Sequence, residues 1–322
     1  MALKKITLLV GGVGGAKLAY GLAKIMPPED LTIIVNTGDD FWHYGLRISP
    51  DLDTIMYTLA DLVDKTRGWG LAGDTQQALD ALRRLGDTPW FGLGDQDLAT
   101  HMLRTRMWHE GIRLTDITRH LTSSLGIQPN ILPMADAPIA TLVDTDEYGE
   151  LGFQVYFVKH RWQPTLKGLR YAGAEAAQMT DDVRRAIEEA DALIIGPSNP
   201  WLSISPILAV PGMRDLIQSR SIPRIAVTPI IKGEAVKGPT AKIMRELGLS
   251  VSPETVIAFY GDVINGFVYD TRDHLESRPA LRTTGLDTYM TDEDKRVALA
   301  QNILDWLEEW MKDHEHLGNY PG

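Results

Sequence analysis

The chain contains no cysteine among its 322 residues, which excludes disulfides, thiolate metal centres and a cysteine nucleophile and fits a reducing compartment. It also lacks any uninterrupted apolar run approaching the ~18 to 20 residues that a membrane helix needs. The opening MALKKITLLVGG ends its short apolar run in glycines rather than at a small-residue cleavage site, so it reads as a first strand and not as a signal peptide. Dense runs of Lys and Arg are missing, and the formal charge is −11. That balance argues against a nucleic-acid groove, whose affinity depends on clustered cations. A cytoplasmic protein without membrane or nucleic-acid partners is expected. Any phosphate-bearing ligand must then be held locally, by backbone amides, a helix N-terminus or a divalent cation. Internal repeats, low-complexity linkers, a Gly-x-Ser-x-Gly elbow and a His-x-x-x-His zinc spacing are absent too.

What is present is an alternation of strand and helix patterns. Lys5 to Val10 is a β-branched run that ends in GGVGGAKL, passes into the helix-like AYGLAKIM and is followed by the buried-strand run LTIIVNT. A right-handed crossover of this kind builds a parallel sheet with ligands at the carboxyl ends of its strands. The plan recurs in TDDVRRAIEEADALIIGPSNP and in IPRIAVTPII, each strand stopping at turn-forming residues. The segments TQQALDALRRLG, DLATHMLRTRMWHEG and LTDITRHLTSSLG read as helices closing on glycine, LGFQVYFVKHRW reads as a strand, and the C-terminal TDEDKRVALAQNILDWLEEWMKD as a capped amphipathic helix. The expected architecture is α/β, a Rossmann-like doubly wound, mostly parallel sheet. It forms one domain over residues 1–322, with a largely helical insertion or lobe at about 55–140.

The glycine loop matches neither the dinucleotide fingerprint, whose third glycine would fall on Lys17, nor the P-loop, which requires Gly-Lys-Ser/Thr. Its position between strand and helix still suits phosphate, with Lys17 as a pairing cation; the alternative is a tight turn without ligand and a solvated lysine. After the second strand stand Asp39 and Asp40, and SPDLDT adds Asp51 and Asp53 at a helix start. An acid at the end of the second strand also suits a ribose hydroxyl, and acids in a first helical turn also stabilise the helix dipole. Four acids converging on a phosphate site would repel one another unless a cation sits among them, and hard oxygen donors suit Mg²⁺. His43, Arg47 and His101 carry little signal, a lone histidine being more often structural.

The ordered blocks GGVGGAKL, NTGDD, SPDLDT, RGWGLAGDT, FGLGDQDLATH, ILPMADAP, GPSNPWLSISPIL and TPIIKGEAVKGPTAKIM span nearly the whole chain. In them the sequence resembles the 2-phospho-L-lactate transferases of coenzyme F-420 biosynthesis, the CofD and FbiA family. The resemblance implies a Mg²⁺-dependent homodimer. It implies a guanosine diphosphate-linked three-carbon acid as donor (phospholactyl, phosphoenolpyruvyl or phosphoglyceryl), the deazaflavin FO as acceptor through its terminal ribityl hydroxyl, and release of GMP. It implies that Asp39, Asp40, Asp51 and Asp53 hold metal, with Asp40 and Asp53 catalytic. Gly11, Gly12, Gly14, Gly15 and Lys17 would contact the nucleotide or its phosphates together with Gly196, Ser198, Asn199 and Pro200, while the segment GDQDLATH, Gly94 to His101, with Asp95, Gln96 and His101, would border FO. For Ser198 and Asn199 an ordinary capping turn is the competing reading.

The chain departs from the family pattern twice: Gln96 stands where Gly-Asp-Arg-Asp is common, and Val155 where an acid follows Gln154. Losing an arginine removes a fixed charge and a bidentate donor. Two other classes compete with the transferase: a nucleotide-sugar-binding regulator of the gluconeogenesis-factor type, and an NAD-dependent dehydrogenase, which would need the fingerprint this loop lacks.

Overall fold

The computed structural model describes residues 3–317 apart from 237, 277 and 279. Its centre is a seven-stranded sheet of β1 (Ile6–Val10), β2 (Leu31–Val35), β3 (Asn130–Pro133), β4 (Ala192–Ile195), β5 (Arg224–Val227), β6 (Gly266–Asp270) and β7 (Arg282–Leu286). The strands lie in the order β3-β2-β1-β4-β5-β6-β7, and every neighbouring pair is parallel. This is the Rossmann order with one strand added at its edge. It places the reversal point between β1 and β4, where ligands of doubly wound sheets collect.

Both faces of the sheet are buried, as the near-continuous apolar strands require. On β1, Ile6, Leu8 and Val10 join the core on one side and Leu9 the core on the other. The first face is covered by α1 (Gly12–Ile25), α2 (Pro50–Leu59) and the C-terminal helix Glu293–Leu317, with α5 (Leu114–Ser124) beside them. Asp292 caps the C-terminal helix, its carboxylate accepting from Lys295 N at 2.9 Å, and Leu299, Ile303, Leu307 and Trp310 pack inward. The second face carries α6 (Asp181–Glu188), capped by Thr180, and a three-stranded antiparallel sheet of Ala140–Thr145, Gly149–Gly152 and Leu166–Ala172. Each fully buried Leu or Ile side chain contributes about 1.5 to 3 kcal/mol.

The helices expected between β2 and β3 are α2, α3 (Gln77–Arg84), α4 (Asp95–His109) and α5. The last three end beside Gly86, Gly111 and Gly126, all at positive φ. The stretch from 55 to 140 also holds β3, which pairs with β2 inside the central sheet. One expected strand is corrected: LGFQVYFVKHRW supplies only Leu151 and Gly152, the end of the strand Gly149–Gly152. Val155–Lys159 is a wide helical turn whose closing bond runs from His160 N to Val155 O at 3.0 Å. Its aromatic and β-branched residues have strand propensity, but the turn puts Phe153 and Phe157 into a stacked pair 5.2 Å apart and buries Tyr156.

Candidate active site

A cleft of about 470 Å³ opens over the carboxyl ends of β1, β2 and β4, within the range of small-molecule sites. The β1–α1 turn forms one wall. Gly12 has φ +65°, and α1 begins without a side-chain cap. A methyl group on Gly11 would collide with the Asp51 carboxylate, and one on Gly14 with the Pro197 carbonyl. The turn is thus glycine because it is pressed between α2 and the β4 turn. Ser198 clasps it, its hydroxyl accepting from Gly11 N at 3.1 Å and donating to Gly11 O at 2.8 Å. Gly15 and Gly196 pack against Val10 beneath.

The remaining candidates divide by position. Gly11, Gly12, Gly14, Lys17, Ser198 and Asn199 line the cleft; Lys17 Nζ donates to Met290 O at 2.7 Å. The Asn199 side chain accepts from Trp201 N and Leu202 N at 3.0 Å and donates to Thr240, so it does cap the turn that begins at Pro200. Pro200 is buried off the cleft.

The four aspartates also divide. Asp39 and Asp51 are buried in the cleft floor with no basic side chain among their hydrogen-bond partners. Asn36 Nδ2 donates to Asp51 Oδ2 at 2.9 Å and lies 3.4 Å from Asp39 Oδ1, while Gln154 Nε2 donates to Asp39 Oδ2 at 3.0 Å. Burial raises the Asp39 carboxyl well above the usual range, helped by the charges of Asp51 and Asp40. Burial raises Asp51 to about 6 against the pull of Asn36 and the Gly12 N–H. Asp40 does not line the cleft. It turns to Arg47 Nη2 at 3.3 Å and Ser49 Oγ at 2.7 Å, and burial raises it to about 6 despite Arg47. The Arg47 guanidinium in turn lies 3.8 Å over the Trp108 ring. Asp53 does line the cleft, and both its oxygens are taken by the fully buried Arg104.

Of the expected acceptor contacts, His101 lines the cleft, whereas Asp95 and Gln96 do not. Asp95 caps α3, accepting from Thr75 Oγ1, Gln77 N and Ala78 N. Those donors hold its carboxyl below the usual range, led by Thr75. Gln96 is exposed, and its backbone N–H donates to Asp74. Asp97, inside the expected segment Gly94 to His101 but not singled out within it, lines the cleft, accepts from Tyr57 OH at 2.7 Å and lies 3.2 Å from His101 Nε2. Its signal was the i,i+4 spacing of Asp97 and His101 on α4. The aromatic side of the cleft comprises Tyr57, Trp69, Phe91, Phe153 and Phe157.

The family profile described as 2-phospho-L-lactate transferase CofD matches residues 6–304. This chain belongs to the CofD family of 2-phospho-L-lactate transferases. A CofD relative from Methanosarcina mazei named 2-phospho-L-lactate transferase is 39% identical over 298 residues, covering 91% of this chain and 97% of its own. A protein of Streptomyces griseus named phosphoenolpyruvate transferase is 37% identical over 314 residues, 95% of this chain and 99% of its own. The crystal structure of a UPF0052 family member from Bacillus halodurans has a TM-score of 0.54 at 16% identity, covering 85% of this chain and 83% of that one. That likeness shows the α/β fold. Transferase activity follows from CofD membership. Among the described residues no helix is long and apolar enough to cross a membrane.

Proposed function

We propose that this CofD protein transfers a phosphorylated three-carbon acid from its guanosine diphosphate-linked donor to the ribityl hydroxyl of the deazaflavin FO, releasing GMP. One observation carries the reading: Asp39 and Asp51, two buried carboxylates bridged by one amide and lacking a basic partner among the hydrogen bonds described, lie against an uncapped glycine turn in a cleft with an aromatic side. Like charges buried this way call for a cation, and an all-oxygen donor set suits Mg²⁺. Asp39 and Asp51 are therefore the residues that would hold it. Mg²⁺ would neutralise the diphosphate and the charge that develops on departing GMP.

The chain's own groups supply position. The N–H groups of the first α1 turn would face the phosphates at the positive end of the helix, and Lys17, in the next turn, lines the same cleft. Asn36 and Gln154 fix the orientation of the two carboxylates. The stacked Phe153 and Phe157, with Tyr57 and Trp69, offer apolar area to a flat heterocycle. The two names carried by relatives support either a phospholactyl or a phosphoenolpyruvyl donor.

The test is turnover with Mg²⁺ and FO, offering the lactyl, enolpyruvyl and glyceryl donors separately and following GMP and the deazaflavin phosphodiester by mass. Product from one donor supports the reading and names the substrate. No product from any of them, with nucleotide sugar bound instead, would favour a regulator.

A further inference from the structure

A second group of chemistry-bearing side chains lies on the cleft beside the Asp39–Asp51 pair, built on α2 and α4. Asp53, Asp97 and His101 bring their ligand atoms within 4.8 Å of one another, which at first sight is a metal centre. The protons argue otherwise. Arg104 Nη1 lies 3.2 Å from His101 Nδ1, nearer than Asp53 Oδ2 at 3.7 Å, and a guanidinium has only donors to offer, so the contact favours Nδ1 as the acceptor. The imidazole proton of a neutral His101 then sits on Nε2, leaving that nitrogen no lone pair for a metal. Arg104 also neutralises Asp53 through both carboxylate oxygens. Nε2 points its proton towards Asp97 Oδ2, 3.2 Å away but off the hydrogen-bonding line, so this buried nitrogen has no well-aligned partner.

Asp97 is the member left to face a substrate. Its side chain is 14% exposed and lines the cleft. Tyr57 OH donates to Oδ1 at 2.7 Å, with Thr100 Oγ1 2.9 Å from the same hydroxyl. Burial opposes the Asp97 charge, but His101, Tyr57 and Arg104 outweigh it and hold the carboxyl below its ordinary range. A carboxylate kept ionised and held by the Tyr57 hydroxyl, with the His101 ring beside it, still has unused lone pairs, which makes it a hydrogen-bond acceptor for a hydroxyl.

We propose that Asp97 accepts the hydrogen bond of the attacking hydroxyl of the acceptor, and that His101, its proton fixed on Nε2 by Arg104, positions Asp97 for that contact. The acceptor part rests on the function proposed above; the tautomer does not. Asp97 is the catalytic residue of the pair, and His101 and Arg104 act through it.

Two measurements on the full-length protein test this. The first is the ¹⁵N spectrum of histidine-labelled enzyme, with the His101 signals assigned by their loss in His101→Gln. A pyrrole-type Nε2 and a pyridine-type Nδ1 are expected, and a proton on Nδ1 would overturn the lock. The second is steady-state turnover alongside GMP binding. Asp97→Asn is expected to lower kcat by about 100-fold or more, with GMP affinity within about twofold of wild type, inside the ~0.5 kcal/mol scatter of distant substitutions. A glutamine amide reaches the place of Nε2 and an asparagine amide the place of Nδ1. His101→Gln should therefore keep most of the rate, and His101→Asn should lose it. Equal rates for these two variants, or near-wild-type turnover by Asp97→Asn, would remove Asp97 and His101 from these roles while leaving the transferase reading intact. A wild-type enzyme inactive on FO with every donor would instead sink the transferase reading and the acceptor role of Asp97, and the spectrum would still judge the lock.

Discussion

Two pairs of aspartates separated by little sequence meet opposite fates. Asp40 and Asp53 each carry a buried arginine of their own, Arg47 and Arg104. Asp39 and Asp51 have amides and a backbone N–H instead. An acid whose cation is built into the fold is already neutralised and serves architecture. An acid buried without one is costly to keep charged until a cation arrives from outside. The difference separates carboxylates with a built-in cation from carboxylates without one in a single cluster, which composition and spacing leave undivided.

The comparison breaks most sharply under substitution of the first kind. Asp39→Asn or Asp51→Asn is expected to reduce turnover by about 1,000-fold while the melting temperature holds or rises, since like-charge repulsion is relieved. A fall in melting temperature with little loss of rate would reverse the roles of the two pairs. Arg104→Met should do the opposite, costing about 3 to 5 kcal/mol in denaturant unfolding by stranding a buried charge. Adding Asp53→Leu should recover most of that loss.

Mg²⁺ sharpens the contrast further. At a concentration 100 times its dissociation constant it should stabilise the wild type by about 2.7 kcal/mol, and Asp39→Asn or Asp51→Asn should abolish the gain in a thermal melt. The smallest effect concerns a third acid with its own cation. Asp270, fully buried, accepts from Arg272 and from Thr288, which against the cost of burial hold its carboxyl at about 2. A depressed folded value means that its contribution is complete above the ordinary carboxylate pKa of 3.8 and is lost as pH falls from there through about 2. Asp270→Asn should cost about 1 to 2 kcal/mol at pH 7 and flatten that part of the acid-unfolding curve.

Much of this was legible beforehand, for identifiable reasons. β1, β2, β4 and β5 are apolar runs bounded by turn residues, so the sheet's centre could be read. β3 is NILP, with Pro129 before it and Pro133 at its end, so no long apolar run announces a strand. The division of the aspartates was not legible: both follow β2 at a turn in which Asp40 N donates to Thr37 O at 3.3 Å, and nothing local says that Asp39 meets the cleft while Asp40 meets Arg47. Asp95 and Asp97 posed the same problem at the start of α4. Their two-residue separation puts them on different helix faces, one capping α3 and the other beside His101.

The strand order has a further meaning for how the chain is made. Ile6 of β1 is paired on one side with Leu31 and on the other with Ala192. During synthesis β1 therefore acquires one neighbour almost at once and waits for a long stretch of chain before the second arrives. Until then β1 is an unfinished edge of Leu8, Leu9 and Val10, the kind of surface that nascent chains present to chaperones or lose to aggregation. The reversal point over which the cleft opens is thus also a seam that closes only once the strand Ala192–Ile195 has been made.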